Sequence, residues 1–196
     1  MAGPGVRFNE QMAGWIAVPR SDRADTGPAW LRLRAAVIIE DLDRFLADPD
    51  HRGALLGHID FDPLGQDIPA TGHVELFAAG PTAGSRVMRY QAAFTAAGVT
   101  YEMIGTKYVT NAAGYNVWGH TTTLFTTVWQ KGAQGSVPLA AGVIRLTLWQ
   151  GVRLLLTLRG TAAGELASRS RAVLRFMAFF VGQVGATYLP MWKGIP

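Results

Sequence analysis

The sequence predicts a mainly β fold: an antiparallel barrel of about eight strands, with a short helix near 41–48 and a C-terminal helix over 165–188 packed on the barrel. Three observations carry this expectation. Strand-like segments follow one another from residue 6 to residue 148, separated by clusters of Gly, Pro, Asn and Asp. The first segment alternates between two faces. Beyond residue 165 the apolar residues change to helical spacing. Consecutive strands with tight connections favour closure, because a closed sheet has no exposed edge, and eight strands enclose an interior just wide enough for one small ligand. At 196 residues the chain (1–196) reads as one domain, long enough to bury a sizeable core.

In the first strand Val6, Phe8, Glu10, Met12, Gly14, Ile16 and Val18 share one face, so a carboxylate lies among large apolar side chains. Buried without compensation, that charge would cost several kcal/mol, on the order of the loss of a hydrogen-bonded ion pair. A turn-rich stretch at 19–28 is long enough to form a loop or lid. A second strand reads Trp30 to Ile39. Glu40, Asp41 and Asp43 then open the short helix, whose Leu42, Phe45 and Leu46 share a face and which Pro49 ends. Further strands read 53–61, 72–79, 86–95, 99–110, 116–130 and 139–148, and 149–159 fits strand or helix. The run from Gly119 to Trp129 is dense in β-branched and aromatic residues, which suit a pleated surface. In the final helix Leu166, Val173, Leu174, Met177, Val181 and Val184 form the apolar face and Pro190 stops it. The uncharged run from Phe176 to Leu189 is too short to span a bilayer.

Hydrophobic residues make up 49% of the chain and charged residues 16%, below the roughly 25% usual in soluble proteins. An apolar cavity or a buried oligomer face would account for the difference, and a homodimer is the default for such a barrel. Without Cys, disulfides, thiolate metal sites and cysteine nucleophiles are excluded. The opening residues hold no apolar signal segment, so a cytoplasmic location is expected. Residues 1–102 carry 9 Arg against 13 acids, whereas 103–196 carry 9 Lys and Arg against Glu165 alone. These basic residues are scattered among apolar ones without a Lys/Arg run or a recognition motif, so no nucleic-acid partner is expected.

Hydrolase and metal signatures are missing: there is no Gly-x-Ser-x-Gly, no phosphate-binding lysine loop and no His-Glu-x-x-His. His58, Asp60 and Asp62 alternate on one strand face, a spacing that fits ligands less well than solvated residues at a strand end. The polar groups able to converge inside a barrel are Glu10, His73, Glu75, Arg89, Tyr90, Tyr101, Lys107 and His120. Parity favours Tyr90, with Met88 and Phe94, as inward-facing on its strand. On the next strand the face of Tyr101, Met103 and Lys107 and the face of Ile104 and Tyr108 are equally apolar. The expected catalytic residues are Glu10 and Tyr90. Phe8, Met12, Met88, Tyr101, Met103, Trp118 and Leu124 are the expected substrate-binding wall, and no metal or cofactor is expected.

Four segments, Phe8-x-Glu10-x-Met12-x-Gly14, Asp41 to His51, Met88-Arg-Tyr90 and Thr121 to Phe125, in this order resemble a domain attached to bacterial cholesterol-oxidase-like flavoproteins. The resemblance spans about residues 6–188 and implies lipid-associated chemistry. The flavin-binding part of those proteins is not in this chain, which has no Gly-x-Gly-x-x-Gly after a strand. In architecture alone, the barrel is also similar to the β-barrel cyclases of bacterial polyketide pathways, which fold linear polyenes for [4+2] cycloaddition. The expected function is therefore a cofactor-independent cyclase or isomerase for a hydrophobic polyketide or terpenoid-like intermediate. In that role Glu10 acts as base or hydrogen-bonding group, Tyr90 orients the substrate and Trp118 stacks on it. The alternatives are a non-catalytic lipid or sterol carrier and an interaction module built on the terminal helix.

Overall fold

A computed structural model describes residues 3–19, 26–82, 84–109, 122–146, 157–161 and 166–188. Eight long strands follow in chain order: β1 (Val6–Pro19), β2 (Thr26–Ile39), β3 (Arg52–Phe61), β4 (Gly65–Ala79), β5 (Arg86–Ala96), β6 (Val99–Val109), β7 (Thr123–Gly132) and β8 (Gly135–Arg145). Each pairs antiparallel with the next, β8 pairs with β1, and β1 pairs with β2 along its whole length, so the sheet closes as an eight-stranded barrel. A two-residue strand, β9 (Arg159–Gly160), adds to the start of β1. Among the described residues no helix is long and apolar enough to cross a membrane.

Side-chain alternation follows the sequence. Val6, Phe8, Glu10, Met12 and Ile16 of β1 are buried, and Arg7, Asn9 and Trp15 are exposed. The same period puts Met88, Tyr90, Ala92 and Phe94 of β5 and Tyr101, Met103 and Lys107 of β6 into the interior. The β5–β6 turn uses Ala97 (φ 48°) and Gly98 (φ 78°), a left-handed pair matched to a two-residue hairpin. Its tightness sets the register, with Tyr90 opposite Gly105 and Met88 opposite Lys107.

Several strand bounds differ from expectation. β2 starts at Thr26, not Trp30, because Thr26 to Ala29 continue the ladder opposite Ile16 to Pro19, and Pro28 is tolerated near the strand end. Residues 20–25 lie outside the described residues. β4 starts at Gly65, not 72, since Asp62 to Leu64 make a compact turn and Gly65 (φ +123°) re-enters the sheet. β7 and β8 meet in a hairpin at Gly132–Gly135, so β8 starts four residues before the expected 139, and it ends at Arg145. Residues 116–121 of the expected seventh strand and 147–156 lie outside the described residues.

Two helices gather at the end of the barrel where β1, β3, β5 and β7 begin. In α1 (Leu42–Ala47) the Asp41 side chain accepts from the Arg44 and Gly3 N–H groups, both at 3.0 Å, and caps the helix. Leu42 and Phe45 are buried beneath it. The terminal helix, α2 (Leu166–Tyr188), lays Phe176 5.6 Å from Phe8, Phe179 5.4 Å from Phe45, and Phe180 5.0 Å from Phe77. Phe8, Phe45, Phe77 and Phe176 are buried and each contributes about 1.5–3 kcal/mol, and the partly buried Phe179 and Phe180 contribute less. A bulge between Glu75 and Ala78 places Phe77 at φ 56°, so that Leu76, Phe77 and Ala78 are all buried under this helix-capped end. The cost of a left-handed non-glycine residue is about 1–3 kcal/mol, offset here by a fully buried aromatic ring.

Candidate functional site

Three strands bring three polar side chains together in the apolar interior. Glu10 (β1), Tyr90 (β5) and Lys107 (β6) are 5%, 2% and 3% exposed. Lys107 Nζ donates to Tyr90 Oη at 3.0 Å, and Tyr90 Oη donates to Glu10 Oε2 at 3.3 Å. Lys107 Nζ also lies 3.7 Å from Glu10 Oε2 and 4.6 Å from the centre of the Tyr90 ring. The phenol is thus the middle of a chain running from amine to carboxyl. Glu10 Oε1 is buried and, among the described residues, has no hydrogen-bond partner.

Burial sets the chemistry of these groups. It pushes the Tyr90 phenol well above its ordinary value, and the adjacent Glu10 charge raises it further, so the phenol keeps its proton. Burial pushes the Lys107 amine below its ordinary value, against an opposing pull from Glu10. The pair is neutral overall whether it is ammonium with carboxylate or amine with carboxylic acid. These two forms differ only in the position of one proton, which the phenol between them can pass.

Around this cluster, Phe8 and Met12 flank Glu10 along β1, Met88 is next but one to Tyr90, Met103 is on the Lys107 face, and Leu124 approaches from β7; all are buried. Gly105 lies directly opposite Tyr90, and a Cβ there would come within 2.6 Å of the Leu124 side chain, so the missing side chain makes room for Leu124 beside the phenol. Tyr101 also points inward but toward the other end of the barrel, where it stacks on Phe94 at 5.5 Å. Trp118 and His120 lie outside the described residues.

Three polar groups able to converge by sequence are on the outer wall, and for Arg89 this is the parity expected from its strand. Glu75 and Arg89 face the outside of the wall, where the Glu75 carboxylate binds Arg89 at 2.8 Å and Arg52 at 3.0 Å. Burial raises the Glu75 pKa, but the two arginines more than offset this and hold it below the usual carboxylate value. His73 is on the same outer face, next to Glu75 in alternation. Asp60, from the His58-Asp60-Asp62 pattern, is buried on the outer wall under Arg32 and Arg34 and accepts from the Asp67 N–H at 2.7 Å, while His58 and Asp62 are exposed. Among the described residues no three His, Asp or Glu side chains are grouped to hold a metal ion.

Lys107 is the member of the cluster that parity alone did not select. The hairpin carried the missing signal: paired residues share a face, and a two-residue turn at Ala97–Gly98 places Lys107 opposite Met88. The fold and the cluster together define a closed antiparallel barrel with an internal amine, phenol and carboxyl. No protein family matches the sequence, and no curated protein or solved structure matches it.

Proposed function

We propose that the barrel is a cofactor-independent isomerase or cyclase for a hydrophobic, carbonyl-bearing polyketide or terpenoid-like compound. The observation that carries this reading is the buried Lys107–Tyr90–Glu10 chain ending in an unpartnered carboxylate oxygen. Glu10 Oε1 is free to accept a proton from the carbon next to a carbonyl. An N–H of Lys107 is free to hydrogen-bond the oxygen on which negative charge then develops. Return of the proton to a different carbon isomerises the compound, and attack by the resulting carbon on a second unsaturated centre closes a ring. Phe8, Met12, Met88, Met103 and Leu124 favour an apolar chain, and holding it in one reactive fold contributes up to about 7–11 kcal/mol of the barrier.

The test compares metabolites of the host with and without the gene, then adds purified protein to any compound that accumulates. Isomerisation and cyclisation conserve mass. A compound converted to an isomer by the wild type, and at least ~10²-fold more slowly by Glu10→Gln, supports the proposal. A compound that binds the protein in equal amount but is returned unchanged would instead make the barrel a carrier.

A further inference from the structure

We propose that Lys107 is a covalent binding site for an aldehyde or ketone, its Nζ condensing with the carbonyl carbon to form an imine inside the barrel. This rests on the reading above that the ligand bears a carbonyl group, and it names the chemical class more narrowly.

The argument starts from how poorly Lys107 is served as a structural cation. An ammonium has three N–H groups to satisfy. Among the described residues, its one acceptor within hydrogen-bond distance is Tyr90 Oη, and the nearest carboxylate oxygen is 3.7 Å away. On the outer wall the charges are met differently, with Glu75 receiving three hydrogen bonds from Arg52 and Arg89. One acceptor and an apolar shell suit an uncharged amine, and the uncharged amine is the nucleophile. Lys131, by contrast, is exposed and paired with Glu102. The sequence has three lysines in all, the third being Lys193, which lies outside the described residues.

The neighbours of Nζ supply the proton movements. Attack forms the C–N bond and moves the carbonyl π pair onto oxygen, which takes up the proton that nitrogen releases, carried by Tyr90. The carbinolamine then loses its hydroxyl group as water with a proton from the Glu10 carboxyl, relayed by the phenol, while the nitrogen lone pair forms C=N. The iminium nitrogen returns its proton to Glu10, so the net change is carbonyl plus amine to imine plus water, and no oxidant or reductant is needed. While still protonated, the iminium makes the adjacent C–H more acidic than the parent carbonyl does, and Glu10 Oε1 is the unpartnered base beside it.

The experiment treats the full chain with octanal and sodium cyanoborohydride at about pH 7, and in parallel with formaldehyde and the same reductant, followed by peptide mapping. Octylation of Lys107 at least ~10-fold faster than of Lys131 is expected, because Lys131 is held in an exposed ion pair with Glu102 whereas the apolar shell of Lys107 favours the uncharged nucleophile. Tyr90→Phe should slow the Lys107 reaction by at least ~10-fold and leave Lys131 unchanged, a split that general unfolding would not produce. If formaldehyde methylates Lys107 but octanal does not label it, an apolar carbonyl ligand is overturned. If neither reagent modifies Lys107 while Lys131 and the N-terminus react, the covalent site is overturned. Because these readouts use the wild-type chain, they stand even if Lys107 variants fail to fold. Selective octylation without any isomerase activity would leave the imine site standing and remove the catalytic reading. Absence of octylation at Lys107 in a wild-type chain whose isomerase turnover Glu10→Gln removes would do the reverse.

Discussion

Glu10 and Glu75 are buried to nearly the same degree, 5% and 7% exposed, on opposite surfaces of one barrel wall. Their surroundings are not alike. Glu75 is held by two arginines whose heads reach solvent, whereas among the described residues Glu10 has one hydrogen bond from a phenol, a lysine at 3.7 Å and an oxygen with no partner. Burial alone therefore does not fix how a carboxylate is paired. The informative quantity is how many partners the group still lacks.

Removing one member of each set should separate the two surfaces. The largest effect is expected from Lys107→Met, which removes the amine partner of a buried carboxyl group and should cost about 3 kcal/mol in urea unfolding. The double variant Glu10→Leu with Lys107→Met should regain most of that loss, because two apolar groups need no partners. A double variant as unstable as the single one would show that shape, not charge, dominates the site.

The pH dependence of stability should divide along the same line. Tyr90 has a raised pKa in the folded protein, so its contribution is full below the unfolded value of about 10 and is lost as pH rises beyond it. Lys107 has a lowered pKa, so the unfolded chain binds its proton more tightly and stability rises with pH up to about 10.4. Tyr90→Phe should flatten the loss above about pH 10 in a series of thermal melts. Glu75 has a lowered pKa, so its contribution is full above about 4.3 and falls as pH drops through the folded value; Glu75→Gln should flatten that acid limb and leave the alkaline limb unchanged. The smallest change is expected from Arg52→Ala, whose side chain is 57% exposed: under about 1 kcal/mol by urea unfolding, and less still at high salt.

The fold was legible in the alternation of β1 and β5, where one face is apolar enough to choose the interior unaided. The starts of β2, β4 and β8 were not, because Pro28, Pro69 and Ser136 look like loop residues until a neighbouring strand is there to pair with. For the site, Glu10 and Tyr90 could be read because each sits in a row of larger apolar side chains. Glu75 looked equally available, yet it has the outer parity of its strand and is neutralised there by Arg89, whose outward direction parity had favoured. Lys107 was hidden by the even hydrophobicity of both faces of β6, and what resolves it is cross-strand register, a property of two strands rather than one.

The order in which the barrel can be assembled follows from where its seam lies. Tyr90 and Lys107 belong to adjacent strands joined by a two-residue turn, so they meet in a hairpin that forms on about the microsecond scale. Glu10 is on the first strand, and its sheet becomes a barrel only when Ile16 pairs with Gly142 near the far end of the sheet. Such distant pairings are the slow part of folding, because the loop entropy is lost before the contacts form. Until closure the amine and phenol sit on an open sheet, in water, with no carboxyl beside them. The acid arrives last, and the same event that delivers it expels the water.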